Sequence, residues 1–131
     1  MTYNTRLKEQ SFLVYGLGLS GQSVVKFFKK NSFKNFQVWD DKQIKKFRSH
    51  RVQNLKKTLN KVNYIVLSPG ISLLKNKILK KFRKKIITDL DLFFLTNKIF
   101  RSIVVTGTNG KSTTCKLLAH IFKKNKLRYC V

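Results

Sequence analysis

Two glycine-rich turns hold most of the residues that could do chemistry. The first, GLGLSG at residues 16–21, fits G-x-G-x-x-G. It follows the apolar run Phe12–Tyr15 and opens a helical pattern. In such a turn Gly16 permits the tight bend, Gly18 lets backbone approach a diphosphate, and Gly21 lets helix and strand pack closely. The helix N-terminus adds free N–H groups and the positive end of a dipole, both suited to an anion. Asp40 stands 22 residues after Gly18, at the end of a second apolar run. There it can reach a sugar hydroxyl or a base. Strand, helix and acid in these places favour a bound nucleotide over a merely tight turn, without saying which nucleotide.

The second turn, TGTNGKSTT at residues 106–114, also lies between an apolar run and a helical pattern. Its Gly110-Lys111-Ser112 is the end of a P-loop. The backbone N–H groups of Gly107, Thr108, Asn109 and Gly110 can cradle phosphates. Lys111 then reaches the β- and γ-phosphates, and Ser112 or Thr113 holds Mg²⁺. Val105 stands where the plain motif has its first glycine, so Gly107 supplies the turn in a shortened variant. A purely structural turn needs neither the lysine nor the hydroxyls. ATP binding is the expectation, with Lys111 as the catalytic group.

The elements that must position these turns alternate. Phe12–Tyr15, Phe36–Trp39, Tyr64–Leu67, Ile86–Thr88 and Ile103–Thr106 read as strands. Helices are expected over residues 21–30, 75–85, from Leu90 to about Asn97 with Asp89 as cap, and from Lys111 to about Asn125. The last has Leu117, Leu118, Ile121 and Phe122 on one side. Residues 42–60 are Lys-rich with a weak helical stripe at Ile44, Phe47, Leu55 and Leu59, and Leu127–Val131 begins a new apolar segment. Alternation of this kind predicts an α/β fold, a parallel sheet with helices on both faces. The expected organisation is a Rossmann-like domain over 1–97, then the start of a P-loop ATPase domain over 98–131.

The charge is a weaker guide. Lys and Arg number 29 against 5 Asp and Glu, a formal +24. That invites a nucleic-acid reading. Yet Lys, Asn, Phe and Ile, the residues of A/T-rich codons, supply 53 of 131 positions, and only 6 residues are Arg. The lysines are spread along the chain, whereas phosphate and base readers favour Arg for its rigid fork. No specific nucleic-acid partner is expected. Four of the five acids, Asp40, Asp41, Asp89 and Asp91, sit at or just after strand ends. Cys115 and Cys130 form no CxxC and no metal spacing, which fits reduced core thiols. His50 and His120 read as solvated or core histidines. Neither a signal peptide nor an apolar run of about 18 residues is present, so a cytoplasmic protein without a membrane span is expected.

Five segments occur in a telling order: GLGLSGQS at 16–23, VWDD at 38–41, LSPGIS at 67–72, TDLDLF at 88–93 and VVTGTNGKSTT at 104–114. Together they resemble the N-terminal part of the bacterial Mur ligases, over nearly the whole chain from about residue 10. The GLGxSG turn and GTNGKST loop resemble the branch that adds D-glutamate. The resemblance implies a first domain that binds UDP, not NAD. It places Gly16, Gly18, Leu19 and Ser20 near the UDP group, Asp40, Asp41 and Lys42 at uracil and ribose, and Gly70 near the diphosphate. The family often has Thr and Arg where Asp41 and Lys42 stand; Lys42 keeps the charge. It implies an ATP- and Mg²⁺-dependent ligase of peptidoglycan precursor synthesis, acting as a monomer on UDP-N-acetylmuramoyl-L-alanine and D-glutamate through an acyl phosphate.

Family members have three domains, so the resemblance casts this chain as an N-terminal fragment that does not ligate alone. On that resemblance, the acidic, His and modified-Lys groups of the central domain and the D-glutamate domain are expected to fall outside these 131 residues. Other readings are another Mur ligase member, an NAD-binding regulatory module, which leaves GTNGKSTT unexplained, and a basic nucleic-acid binder, which explains only the charge.

Overall fold

A computed structural model describes residues 5–42, 47–96 and 101–129. Contacts divide the chain into two compact units, Met1–Ile99 and Phe100–Val131.

The first unit is an α/β layer structure. Its strands are β1 (Phe12–Tyr15), β2 (Phe36–Trp39), β3 (Tyr64–Leu67) and β4 (Ile86–Ile87), all parallel, in the order β2-β1-β3-β4. Its helices are α1 (Thr5–Lys8), α2 (Leu19–Lys30), α3 (Leu55–Lys61), α4 (Lys77–Lys80) and α5 (Asp89–Thr96). β1 is central, and all four of its side chains are buried. Alternation along the strand sends them to opposite faces. Phe12 and Val14 join Val24, Val25, Phe28 and Leu92 from α2 and α5; Leu13 and Tyr15 join Leu59 and Leu79 from α3 and α4. Helices therefore cover both faces, as the alternation predicts.

Several boundaries differ from the sequence expectation. α2 begins at Leu19, two residues before the expected start, because Gly18 serves as its N-cap. Its far end needs no glycine: Ser32 takes a left-handed φ of 59°, and Phe33 N donates to Phe28 O while Ser32 N donates to Lys29 O. The Phe28 and Phe33 rings then meet at 4.8 Å, the apolar contact that goes with this helix stop.

Residues 42–60 are not one weak helix. Ile44 lies outside the described residues. Beyond Phe47 the chain makes a 3-10 turn at Arg48–His50, then lays Arg51 and Val52 beside β2, with Val52 N donating to Val38 O at 3.1 Å. Burying Val52 and covering the edge strand outweighs a thin helical stripe. Asn54 then caps α3 through a 3.0 Å bond from Lys57 N. Residues 75–85 likewise split into α4, capped by Asn76, and a 3-10 turn at Arg83–Lys85. Lys85 Nζ donates to the carbonyls of Leu59, Asn60 and Val62 at 3.2, 2.8 and 2.8 Å, closing the end of α3.

The expected Asp89 cap is corrected. Asp89 is the first residue of α5, and Thr88 is the cap: its Oγ1 accepts from Asp91 N at 3.1 Å, while Asp91 Oδ2 accepts from Thr88 N at 2.8 Å. This is a reciprocal capping box. It takes Thr88 out of β4, which ends at Ile87.

The second unit contains α6 (Lys111–Lys124), as expected to within a residue. The strand expected at Ile103–Thr106 is not formed. Residues 101–106 have no regular structure, and Ile103 and Val104 are 62% and 84% exposed. A strand needs a neighbour for its N–H and C=O groups, and no described strand pairs with this run. α6 has no buried residue; Leu117 and Ile121 of its apolar side are exposed. Cys115 is half-buried rather than a core thiol, while Asn97, Cys130 and Val131 lie outside the described residues. Among the described residues no helix is long and apolar enough to cross a membrane, and no three His, Cys, Asp or Glu side chains gather as metal ligands.

Candidate functional site

The first unit's sheet has its topological switch between β1 and β3. From β1 the chain moves outward to β2, then crosses back to β3 on the other side. Ligands of open parallel sheets bind in the crevice at the carboxyl ends of such strands. Three sequence-derived segments meet here: Gly16–Ser20 after β1, Asp40–Lys42 after β2, and Ser68–Gly70 after β3.

Local chemistry holds them together. Gly16 N donates to Trp39 O at 2.8 Å and Ser68 N to Tyr15 O at 3.0 Å, extending both ladders into the loops. Asp40 Oδ2 accepts from Leu17 N at 2.7 Å and its Oδ1 from Lys42 N at 2.8 Å. Asp40 therefore braces the glycine turn and shapes its own, leaving only its remaining lone pairs for a ligand. On the other side the buried Ser68 Oγ donates to Gly16 O at 2.8 Å.

The three glycines of the first turn have different environments. Gly16 has φ +94°, and a Cβ there would meet Ser68 Cβ at 2.9 Å. A Cβ on Gly21 would overlap the Gly16 carbonyl. The fold demands both glycines. Gly18 has an ordinary φ of −65°, and a Cβ on it would meet nothing within 4 Å. Gly70 is equally open. Gly18 and Gly70 border free space, and Leu19 and Ser20 follow Gly18 in the first turn of α2, which has no side-chain cap.

Sequence reasoning gave Ser68 no role of its own and missed a second polar group at the same edge. Tyr15 Oη lies 3.0 and 3.2 Å from the two oxygens of Asp41, to which it donates, and Trp39 Nε1 donates to Asp41 Oδ1 at 2.8 Å. Asn76 Nδ2 donates to Tyr15 Oη at 3.1 Å. Burial, and then the hydrogen bond to the Asp41 carboxylate, push the Tyr15 phenol above its ordinary value of 10.0, so it stays a donor at neutral pH. The available signal was a tyrosine ending an otherwise hydrocarbon run, Phe12–Val14: a buried hydroxyl needs partners.

Gly107 and Gly110 have φ of +145° and +78°, which side chains disfavour. Gly110 is the N-cap of α6 and supplies no side-chain cap, so first-turn amides are left for another acceptor. Lys111 Nζ folds back on the carbonyls of Gly107 and Thr108. Ser112 and Thr113 stand exposed in the same turn.

The family model for the Mur ligase MurD-like N-terminal domain matches residues 10–88, more than half the chain. The chain belongs to the MurD-like Mur ligases. The matched span holds the whole four-stranded sheet and every segment of the crevice. Curated relatives carry the name UDP-N-acetylmuramoylalanine--D-glutamate ligase. The protein of Rickettsia prowazekii is 38% identical over 95% of this chain and 29% of its own length. Those of Wolbachia pipientis and Aquifex aeolicus are 32% and 37% identical over 90% and 86% of this chain. This Mur ligase chain thus spans under a third of the length of the curated relatives it matches.

Proposed function

We propose that this chain is the uridine-nucleotide-binding part of an ATP-dependent ligase that joins D-glutamate to UDP-N-acetylmuramoyl-L-alanine, as a cytoplasmic monomer. The observation that carries the reading is Gly18. In a MurD-like domain it borders open space at the switch crevice, where the fold itself does not require glycine. The relatives' names supply the two substrates.

The residues divide the nucleotide between them. The diphosphate faces Gly18, Gly70 and the first-turn amides of Leu19 and Ser20, where the helix end favours negative charge. Gly16 sets the turn. The Asp40–Lys42 turn faces ribose and uracil, with Lys42 adding a cation. In the loop Gly107–Thr113, backbone amides and Lys111 fit the phosphates of ATP. The amides of α6, which have no side-chain cap, and a lysine that bonds its own loop's carbonyls support that fit. Ser112 and Thr113 would hold Mg²⁺, which when bound neutralises phosphate charge.

The reaction for the whole protein balances simply. A carboxylate oxygen of the UDP-sugar takes the γ-phosphoryl group, forming an acyl phosphate and ADP. The D-glutamate amine then attacks the acyl carbon, phosphate leaves, and the amine loses a proton. Lys111 stabilises the charge on the transferred group, as positioned cations do in phosphoryl transfer.

Calorimetric titration tests the reading. UDP should bind the chain, NAD should neither bind nor compete, and Lys111→Ala should abolish ATP binding while sparing UDP. Tighter binding of NAD than of UDP would replace this reading with an NAD module.

A further inference from the structure

The crevice contains a polar chain that nucleotide contact alone does not explain. Tyr15 is 2% exposed at the end of the central strand, and Phe would fill the same space. Its hydroxyl instead ties two loops together. It donates to Asp41, 3.0 and 3.2 Å from the two carboxylate oxygens, and accepts from Asn76 Nδ2 at 3.1 Å. Each end of this chain is itself fixed. Asn76 Oδ1 accepts from the amides of Ile78 and Leu79 at 3.1 and 3.0 Å, so it cannot turn away without uncapping α4. Asp41 Oδ1 is held by Trp39 Nε1 at 2.8 Å. Adjacent Asp40 holds Leu17 N and Lys42 N. One continuous network thus runs from the loop after β3, through the end of β1, to the turn after β2. The Asp41 carboxylate points into that network.

We propose that Tyr15, Asp41 and Asn76 form a latch that holds the Asp40–Lys42 turn in the geometry that receives the nucleotide. Tyr15 is a positioning residue, and Asp41 serves as the acceptor of the latch instead of contacting base or ribose. The inference rests on the uridine-nucleotide reading. A latch requires that losing either end of the Tyr15–Asp41 bond weakens nucleotide binding to a comparable degree. A direct Asp41 contact would make Asp41 matter and Tyr15 matter little.

The test is a double-mutant cycle on UDP affinity, measured by calorimetry on the full chain. The proteins are wild type, Tyr15→Phe, Asp41→Ala and the double variant. Each single change should weaken UDP about tenfold, the scale of one charge-assisted hydrogen bond. The double variant should lose clearly less than the two losses multiplied, because the Tyr15–Asp41 contact is common to both changes. Asn76→Asp keeps an acceptor for the α4 cap but removes the donor to Tyr15. It should weaken UDP several-fold even if Tyr15→Phe proves too unstable to assay. Losses that multiply, an Asp41→Ala loss far exceeding that of Tyr15→Phe, or an Asn76→Asp protein that binds like wild type would each overturn the latch. If the wild type itself takes up no UDP, the nucleotide reading falls and the latch with it. If the wild type binds and the variants match it, the latch alone falls.

Discussion

Three glycines share one turn but answer to different constraints, and single substitutions should separate them. Gly21→Ala puts a methyl group into the Gly16 carbonyl and should cost at least about 3 kcal/mol in urea unfolding. Gly18→Ala meets no atom and an ordinary φ, so stability should stay within about 0.5 kcal/mol. UDP affinity should nevertheless drop tenfold or more, because the methyl occupies the space given to the diphosphate. His50 gives a pH signature of a different kind. It stacks on Phe36 at 4.4 Å, and burial, then the nearby Lys29 charge, lower its pKa below 6.5. The fold therefore favours neutral imidazole, and that contribution is fully present above the unfolded value and is lost as pH falls from there through the lower folded-state value. Urea midpoints measured at pH 7.5 and 5.5 should fall for wild type, and His50→Gln should flatten part of the change.

At the scale of elements, the four strands of the first unit and the helices behind both glycine turns were legible from apolar runs and their spacing. Local competition between neighbouring residues was not. Thr88 and Asp89 are both good caps, and only the backbone geometry shows that Thr88 takes the role with Asp91 answering it. Thr88→Ala should cost about 1 kcal/mol and lower the melting temperature by several degrees. Asp89→Ala should cost less, which a thermal melt of both variants would check. The stop of α2 was equally hidden, since Ser32 carries the left-handed turn that glycine usually signals. The candidate site was half legible. Glycines and acids stand out by type and spacing. The Tyr15–Asn76 contact joins residues 61 positions apart and leaves no local pattern. The strand expected at Ile103–Thr106 failed for the complementary reason: an apolar run becomes a strand only beside another strand.

The whole molecule joins a well-packed unit to one with little burial. The first has cores on both faces of its sheet, while α6 buries no side chain. Segments with few buried contacts open at low free-energy cost. Brief trypsin treatment should therefore cut within residues 101–129 before it cuts within 5–42 or 47–96, although lysines are plentiful in all three; mass spectrometry of the first products checks this. The charge of +24 belongs to the whole surface and predicts salt-sensitive, sequence-blind adhesion to DNA, not a specific partner. The central claim is that the specific anion is a uridine diphosphate at the switch crevice. Amide chemical-shift mapping of the chain during UDP titration tests it most directly. Saturable shifts should gather at Gly16–Ser20, Asp40–Lys42 and Gly70, with NAD producing none; shifts scattered over the lysine-rich surface, or the same set produced by NAD at lower concentration, would contradict it.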